Sequence, residues 1–208
     1  MLASFFVTSL LLAGFATSAP AEIKTRQTSC SDLQLVFLAG TTESGLGSLG
    51  TPLGDALAKA VPGTSSYGVV YDTSAEYYAT VAAGAMLTEQ YLMKQSSSCP
   101  NQRFVLGGYS KGALVVHKLS LSSAIQKKVL AITVFGDPAR NINPTWPIDS
   151  PAVNSDPRSG TSSKQNVLSF CNAFDMFCYP GGGNLMPHLA YPRDGSVDIA
   201  AKFVKQKA

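Results

Sequence analysis

The sequence predicts an α/β fold, a three-layer sandwich in which about five parallel strands form the central sheet and helices cover both faces. Apolar runs rich in valine and leucine recur along the chain without a polar residue at every second position, which is typical of strands buried on both faces. Segments that favour helices separate these runs. One run leads into a glycine-rich turn at residues 108–112, so a strand, a tight turn and a helix follow one another there.

Each predicted strand is a short apolar or β-branched run bounded by glycine, proline or polar residues. The predicted strands are residues 33–39, 68–71, 103–109, 129–135 and 166–170. The predicted helices have apolar residues at helical spacing or follow a start signal such as Pro52, and they are residues 53–60, 75–94, 111–122 and 197–205. The stretch 141–165 is rich in proline, serine and asparagine and has no periodicity, so the sequence predicts a surface excursion there without assigned structure.

The N-terminal residues differ in character from the rest of the chain. Residues 1–19 hold an almost continuous apolar run followed by small residues, so they are expected to be a secretory signal peptide. Cleavage after Lys24 and Arg26 would make residues 20–26 a propeptide, and an unprocessed basic terminus is the alternative. Residues 27–208 are enough for a single domain with its own core. The mature protein is therefore expected to be a secreted monomer without stable insertion in a membrane.

Charge and cysteine content narrow the function classes. The formal net charge is +3 and no cluster of lysine or arginine stands out, so no nucleic acid partner is expected. Four cysteines in a secreted chain imply two disulfides with three possible pairings, of which Cys30–Cys99 and Cys171–Cys178 is the simplest. Zinc binding is the competing interpretation, but the cysteine spacing lacks the short metal-ligand pattern. No metal is therefore expected.

The turn at residues 108–112 has the Gly-x-Ser-x-Gly pattern of a nucleophile elbow, with Ser110 at its centre. A serine on such a strained turn needs very small neighbours, which Gly108 and Gly112 supply. The turn also places Ser110 at a helix N-terminus, where free N–H groups favour developing negative charge. A glycine-rich turn with an ordinary surface serine is the alternative.

A serine nucleophile needs a base, and the chain has two histidines. His117 lies on the helix that follows Ser110, about 10 Å along its axis at ~1.5 Å per residue, and is out of reach. His188 is therefore the predicted base. Two acids compete to orient it: Asp175, between Cys171 and Cys178, and Asp137, which follows the next strand and is otherwise a turn cap before a proline.

Three motifs in order resemble those of the fungal cutinases, which belong to the cutinase and acetylxylan esterase family of secreted serine esterases. They are Gly-Tyr-Ser-Lys-Gly at 108–112, Cys-Asn-Ala-Phe-Asp-Met-Phe-Cys at 171–178 and Pro-His-Leu-Ala-Tyr at 187–191, and the loop at 40–50 also matches. The resemblance extends from Cys30 to about Val204. It implies an α/β-hydrolase fold, Asp175 as the catalytic acid, the disulfides Cys30–Cys99 and Cys171–Cys178, and an oxyanion hole at Thr41 and Lys111.

The resemblance also implies a carboxylic ester hydrolase that needs no cofactor and acts on cutin-type polyester or on short and medium acyl esters. Deacetylation of acetylated xylan or another glycan is the alternative within the family, and a non-catalytic surface-binding protein is the alternative outside it. The chain departs from cutinases at Lys111, where they usually have glutamine, and a lysine there can alter pH dependence. Tyr77 and Tyr78, with Leu185 and Met186, are the expected substrate rim.

Overall fold

The computed structural model describes residues 30–208, and the predicted signal peptide and propeptide lie outside these residues. Six strands form one sheet in the order β2-β1-β3-β4-β6-β5, and every neighbouring pair is parallel. The strands are β1 (Leu33–Leu38), β2 (Ser65–Gly68), β3 (Arg103–Tyr109), β4 (Val129–Phe135), β5 (Val153–Asn154) and β6 (Val167–Phe170). The α-helices are α1 (Gly47–Ala60), α2 (Tyr78–Ser98), α3 (Lys111–Lys118), α4 (Ser123–Gln126), α5 (Leu185–His188) and α6 (Ser196–Lys205).

Helices cover both faces of the sheet, as the sequence predicts. Successive residues of a strand point to opposite faces, so β1 contributes Phe37 to one core cluster and Val36 to the other. Helices α1 and α6 pack on the Phe37 side, and α2, α3 and α4 pack on the Val36 side. All six residues of β1 are buried, which explains why its sequence has no polar alternation.

The prediction of about five strands was one short, and one strand was misplaced. The additional strand β5 has only two residues, in the stretch 141–165 that had no periodicity, and it is recognisable only by its pairing with β6. The second strand comprises Ser65–Gly68 rather than 68–71. This strand lies at the edge of the sheet and pairs only with β1, so its side chains are less buried than those of a central strand. Serines are therefore tolerated in it. The prediction was misled by the apolar residues that follow the strand.

Two helix starts also differ from prediction, and in both first turns an upstream glutamate accepts backbone N–H groups. Helix α1 begins at Gly47 rather than at residue 53, so Pro52 lies inside it, and the Glu43 carboxylate accepts the Ser48 N–H in its first turn. Helix α2 begins at Tyr78 rather than at residue 75, because the Glu76 carboxylate accepts the N–H groups of Tyr78, Ala79 and Thr80. The helix after the elbow ends at Lys118 rather than at 122.

Two disulfides, Cys30–Cys99 and Cys171–Cys178, join the four cysteines. The first ties the start of the described chain to the residue after α2, and the second closes a loop after β6. Within residues 30–208, no helix combines the length and the hydropathy needed to cross a membrane.

Candidate active site

Ser110 lies between β3 and α3 in a conformation that few residues adopt. Its φ is 53° and its ψ is −117°, outside the helical and extended regions. The turn is so tight that a Cβ on Gly108 would lie 2.7 Å from the Gly112 carbonyl oxygen, and a Cβ on Gly112 would lie 1.9 Å from the Leu38 carbonyl oxygen. Both glycines are therefore sterically required, and Ser110 is held at the carboxyl edge of the sheet.

His188 and Asp175 are hydrogen-bonded at the same edge. The His188 Nδ1 lies 2.9 Å from Asp175 Oδ2 and 3.0 Å from Oδ1, and both side chains are almost completely buried. The Asn184 side chain caps the short helix α5 that ends at His188, and the Tyr109 hydroxyl donates to the His188 carbonyl oxygen at 2.9 Å. These contacts fix both the ring and the backbone of His188, with Nε2 left as the nitrogen that does not contact the carboxylate.

The Asp175 carboxylate has further donors that sequence reasoning missed. The Tyr191 hydroxyl donates to Oδ2 at 2.6 Å, and the Phe177 N–H donates to Oδ1 at 2.8 Å. Burial alone would raise the pKa of Asp175, but the hydrogen bonds from His188, Tyr191 and Phe177 outweigh burial and hold that pKa below its usual value. Tyr191 belongs to the 187–191 motif, which was the available signal for this role.

Gly136 is a second position with a structural role that the sequence did not reveal. It follows β4 with a φ of 58°, and a Cβ there would lie 2.6 Å from the His188 Nδ1. Only glycine therefore leaves space for the imidazole ring beside Asp175.

Thr41 and Lys111 each present a backbone N–H near the elbow. Within residues 30–208 neither N–H has a hydrogen-bond acceptor, whereas the Ser110 N–H donates to the Phe135 carbonyl oxygen at 2.9 Å. Lys111 is the first residue of α3, where the helix leaves its N–H groups free. The Lys111 side chain, by contrast, is fully buried, and its ammonium donates to backbone carbonyl oxygens.

A cavity of about 340 Å³ joins most of the predicted site residues. Ser110 and His188 line it together with Thr41, Tyr77 and Leu185. Its remaining walls are Thr42, Glu43, Tyr109, Phe177 and Leu189. Tyr78 and Met186 of the predicted substrate rim do not line this cavity, and both side chains are strongly exposed to solvent. A larger groove of about 640 Å³ between α1 and α6 shares no lining residue with this cavity.

The histidine and the acid that compete with His188 and Asp175 contact each other instead. The His117 Nε2 lies 2.9 Å from Asp137 Oδ2, and its Nδ1 lies 2.8 Å from the Thr145 carbonyl oxygen. The other Asp137 oxygen accepts the Ala139 N–H, as expected for a turn cap. Neither residue lines the cavity beside Ser110. No three metal-ligating side chains gather anywhere in the described part of the chain.

Comparisons with known proteins identify the family. The family model described as Cutinase matches residues 29–208. Carboxylesterase Culp1 from Mycobacterium tuberculosis (strain ATCC 25618 / H37Rv) is 35% identical over 185 residues, covering 86% of this chain and 82% of that protein. The Cutinase of Monilinia fructicola is 33% identical over 210 residues, covering 96% of this chain and 94% of that protein.

A solved structure agrees with these relatives. The Trichoderma reesei cutinase in complex with a C11Y4 phosphonate inhibitor has a TM-score of 0.67 and 30% identity, with 84% of this chain and 75% of that chain covered. The family match spans every described residue, and the relatives align over most of their own length. The chain therefore belongs to the cutinase family and is a carboxylic ester hydrolase.

Proposed function

We propose that the protein hydrolyses esters through an acyl-enzyme in which Ser110 is the nucleophile, His188 the general base and Asp175 the group that orients the imidazole. The observation that carries this proposal is that Ser110 and His188 line one cavity while Asp175 holds the His188 Nδ1. Nε2 is then the nitrogen available to the Ser110 hydroxyl. The strained conformation of Ser110 supports the assignment, because such strain concentrates at functional positions.

In the first half of the reaction, His188 Nε2 takes the Ser110 proton as the Ser110 oxygen attacks the ester carbonyl. The N–H groups of Thr41 and Lys111 bind the negative oxygen of the tetrahedral intermediate. Protonated His188 then gives its proton to the leaving alcohol, and the acyl group stays on Ser110. In the second half, water attacks the acyl-enzyme as His188 takes a proton from the water. His188 then returns that proton to the Ser110 oxygen, the bond between the acyl carbon and this oxygen breaks, and the carboxylic acid leaves.

The substrate class that we propose is a carboxylic ester with a short or medium acyl chain, including polyester of the cutin type. Phe177, Leu185 and Leu189 give the cavity an apolar side that suits an alkyl chain better than a sugar ring. Two disulfides support secretion, since such bonds persist outside the cell. The proposed enzyme acts as a monomer and its chemistry needs no cofactor.

The S110A variant tests the nucleophile. Loss of the hydroxyl removes the acyl acceptor, so hydrolysis of p-nitrophenyl butyrate should fall by about 10⁴-fold or more while the thermal unfolding curve stays close to that of the parent. A fluorophosphonate probe should label the parent on the peptide that contains Ser110 and should leave S110A unlabelled. Near-normal turnover by folded S110A would show that another residue is the nucleophile, and an unlabelled parent would favour a non-catalytic binding protein.

The two histidines provide a matched control for the base. H188A should lose hydrolysis almost as completely as S110A, because the other basic side chain at the cavity, the Glu43 carboxylate, is engaged by the Gly40 and Ser48 N–H groups. H117A removes the partner of Asp137, outside the cavity, and should keep most of its kcat at temperatures where it is folded. An equally deep loss in folded H117A would reverse the choice of base.

A further inference from the structure

The side chain of Lys111 has no role in the proposed reaction, yet it is one of the largest fully buried side chains of the protein. Its Nζ donates to three backbone carbonyl oxygens: Asp72 at 3.0 Å, Ser74 at 2.5 Å and Glu76 at 2.8 Å. An ammonium group has three donors, so all of them are satisfied. Burial lowers the pKa of Lys111, and the nearby carboxylates of Asp72 and Glu76 partly offset that effect.

The three carbonyl groups belong to the irregular segment 72–77, which connects the sheet to α2. All residues of this segment except Thr73 are exposed, so apolar burial contributes little to its conformation. Thr73 is hydrogen-bonded to the loop after β1. Its carbonyl oxygen accepts the Thr42 N–H, and its hydroxyl donates to the Glu43 carbonyl oxygen. The Glu76 carboxylate binds the first turn of α2. The Lys111 ammonium is a further anchor, and it binds every second residue of the segment.

The segment ends at Tyr77, which lines the cavity beside Ser110. The Tyr77 hydroxyl lies 2.7 Å from Thr41 Oγ1, and the Tyr77 ring centroid lies 5.2 Å from the Lys111 Nζ. One buried ammonium thus contacts the backbone before Tyr77 and one face of its ring. Through Tyr77 it is also linked to the hydroxyl of Thr41.

We propose that the Lys111 side chain is a positioning residue that fixes segment 72–77 so that Tyr77 forms one wall of the acyl-binding cavity and sets the acyl chain length that the enzyme prefers. This inference rests on the proposed function, since it takes the cavity beside Ser110 as the acyl site. The peptide N–H of Lys111 and its side chain then have separate tasks. The N–H faces the oxyanion, whereas the ammonium shapes the cavity.

The position of Tyr77 in the cavity wall predicts in which direction the preferred acyl chain length should change. With Tyr77 held against Thr41, the cavity is closed on that side and encloses a short acyl chain well. Without the ammonium, the Asp72 and Ser74 carbonyl oxygens lose their donor, while the Glu76 oxygen keeps the Thr80 hydroxyl. The segment then moves so that the unpaired oxygens reach water. The wall then loosens, a short chain loses contacts, and a long chain gains room.

A double-mutant cycle on K111M and Y77A tests the inference. The methionine side chain is similar in length to that of lysine but has no hydrogen-bond donor. The substitution keeps the backbone N–H of residue 111, which is the proposed oxyanion donor. We expect each single variant to lower the ratio of kcat/KM for p-nitrophenyl butyrate to that for p-nitrophenyl laurate about tenfold, and the double variant to lower it by no more than about twofold further. This shared effect is expected only if Lys111 acts through Tyr77.

Lys128 provides the matched control. Its Nζ also donates to backbone carbonyl oxygens, those of Pro100 and Ser96, and it does not line the cavity. K128M should therefore leave the ester ratio unchanged. K111Q, which keeps an amide donor, should give a smaller shift in the same direction as K111M and serves if K111M does not fold. An unchanged ratio in the folded variant, or effects of K111M and Y77A that simply multiply, would overturn the inference. Hydrolysis by S110A would instead overturn the proposed function.

Discussion

At the scale of single residues, the Asp175 carboxylate shows how a buried charge is kept ionised. It has no exposed surface, which alone would favour the neutral acid. Donors from Tyr191, Phe177 and His188 surround its two oxygens and reverse that preference. The Tyr191 ring is itself fully buried, and its hydroxyl proton is held because burial, followed by the Asp175 hydrogen bond, raises the pKa of Tyr191.

The Y191F variant tests this arrangement through its pH dependence. The depressed pKa of Asp175 contributes stability that is complete above the unfolded value of about 4 and is lost as pH falls through the folded pKa. Removing one donor should therefore lower the free energy of unfolding by about 1.5–3 kcal/mol near neutral pH, and the loss should shrink in acid. Urea unfolding of the parent and of Y191F across a pH series measures the loss of unfolding free energy near neutral pH and its decrease in acid.

Y109F is the control for Y191F, because the Tyr109 hydroxyl donates to a neutral acceptor, the His188 carbonyl oxygen. Its loss should cost about 0.5–1.5 kcal/mol with little dependence on pH. An equal cost of Y191F in acid and at neutral pH would mean that the tyrosine packs beside Asp175 without stabilising its charge.

At the scale of elements, the strands that the sequence predicts well are the buried central ones. β3 and β4 have the predicted bounds because Val, Leu and Phe runs reflect burial on both faces. β2 and β5 lie at the two edges of the sheet, where one neighbour is missing and side chains are less apolar. Helix starts at Gly47 and Tyr78 depend on carboxylates that reach back from Glu43 and Glu76, and apolar periodicity carries no such information.

Removal of each disulfide should affect stability and activity to different degrees. Cys30 and Cys99 are 69 residues apart and Cys171 and Cys178 only 7. Loop-closure entropy then predicts that C30S/C99S costs about 4 kcal/mol and C171S/C178S about 2 kcal/mol. The short loop contains Asp175, however, so C171S/C178S should reduce kcat about tenfold or more, while folded C30S/C99S keeps kcat within about twofold. Denaturation measures which variant loses more stability, and kinetics on the same samples measure which loses more kcat. A larger kcat loss in folded C30S/C99S than in C171S/C178S would contradict the role given to the short loop.

At the scale of the whole molecule, the candidate site is built from segments that follow β1, β3 and β6, together with α5. Parallel strands bring these segments to one edge, where Thr41, Ser110 and His188 line one cavity. Position after a strand did not by itself choose between Asp137 and Asp175, and the resemblance to cutinases made that choice. The sequence placed Tyr77 in the expected rim, but it could not reveal that the Lys111 ammonium contacts the segment before Tyr77, because the three acceptors are backbone groups. It also could not reveal the space that Gly136 leaves for His188.

The shape and chemistry of the cavity also predict substrate choice. Phe177, Leu185 and Leu189 form its apolar side, and the exposed Phe174 and Met186 belong to the same disulfide loop and to α5. Two additional buried methylene groups, at about 0.8 kcal/mol each, should make kcat/KM for p-nitrophenyl butyrate about tenfold higher than for p-nitrophenyl acetate. Acetate release from acetylated xylan should be slower than hydrolysis of the butyrate, with S110A giving the background of each assay. A preference for acetate over butyrate, combined with rapid deacetylation of xylan, would identify the enzyme as a glycan deacetylase of the same family.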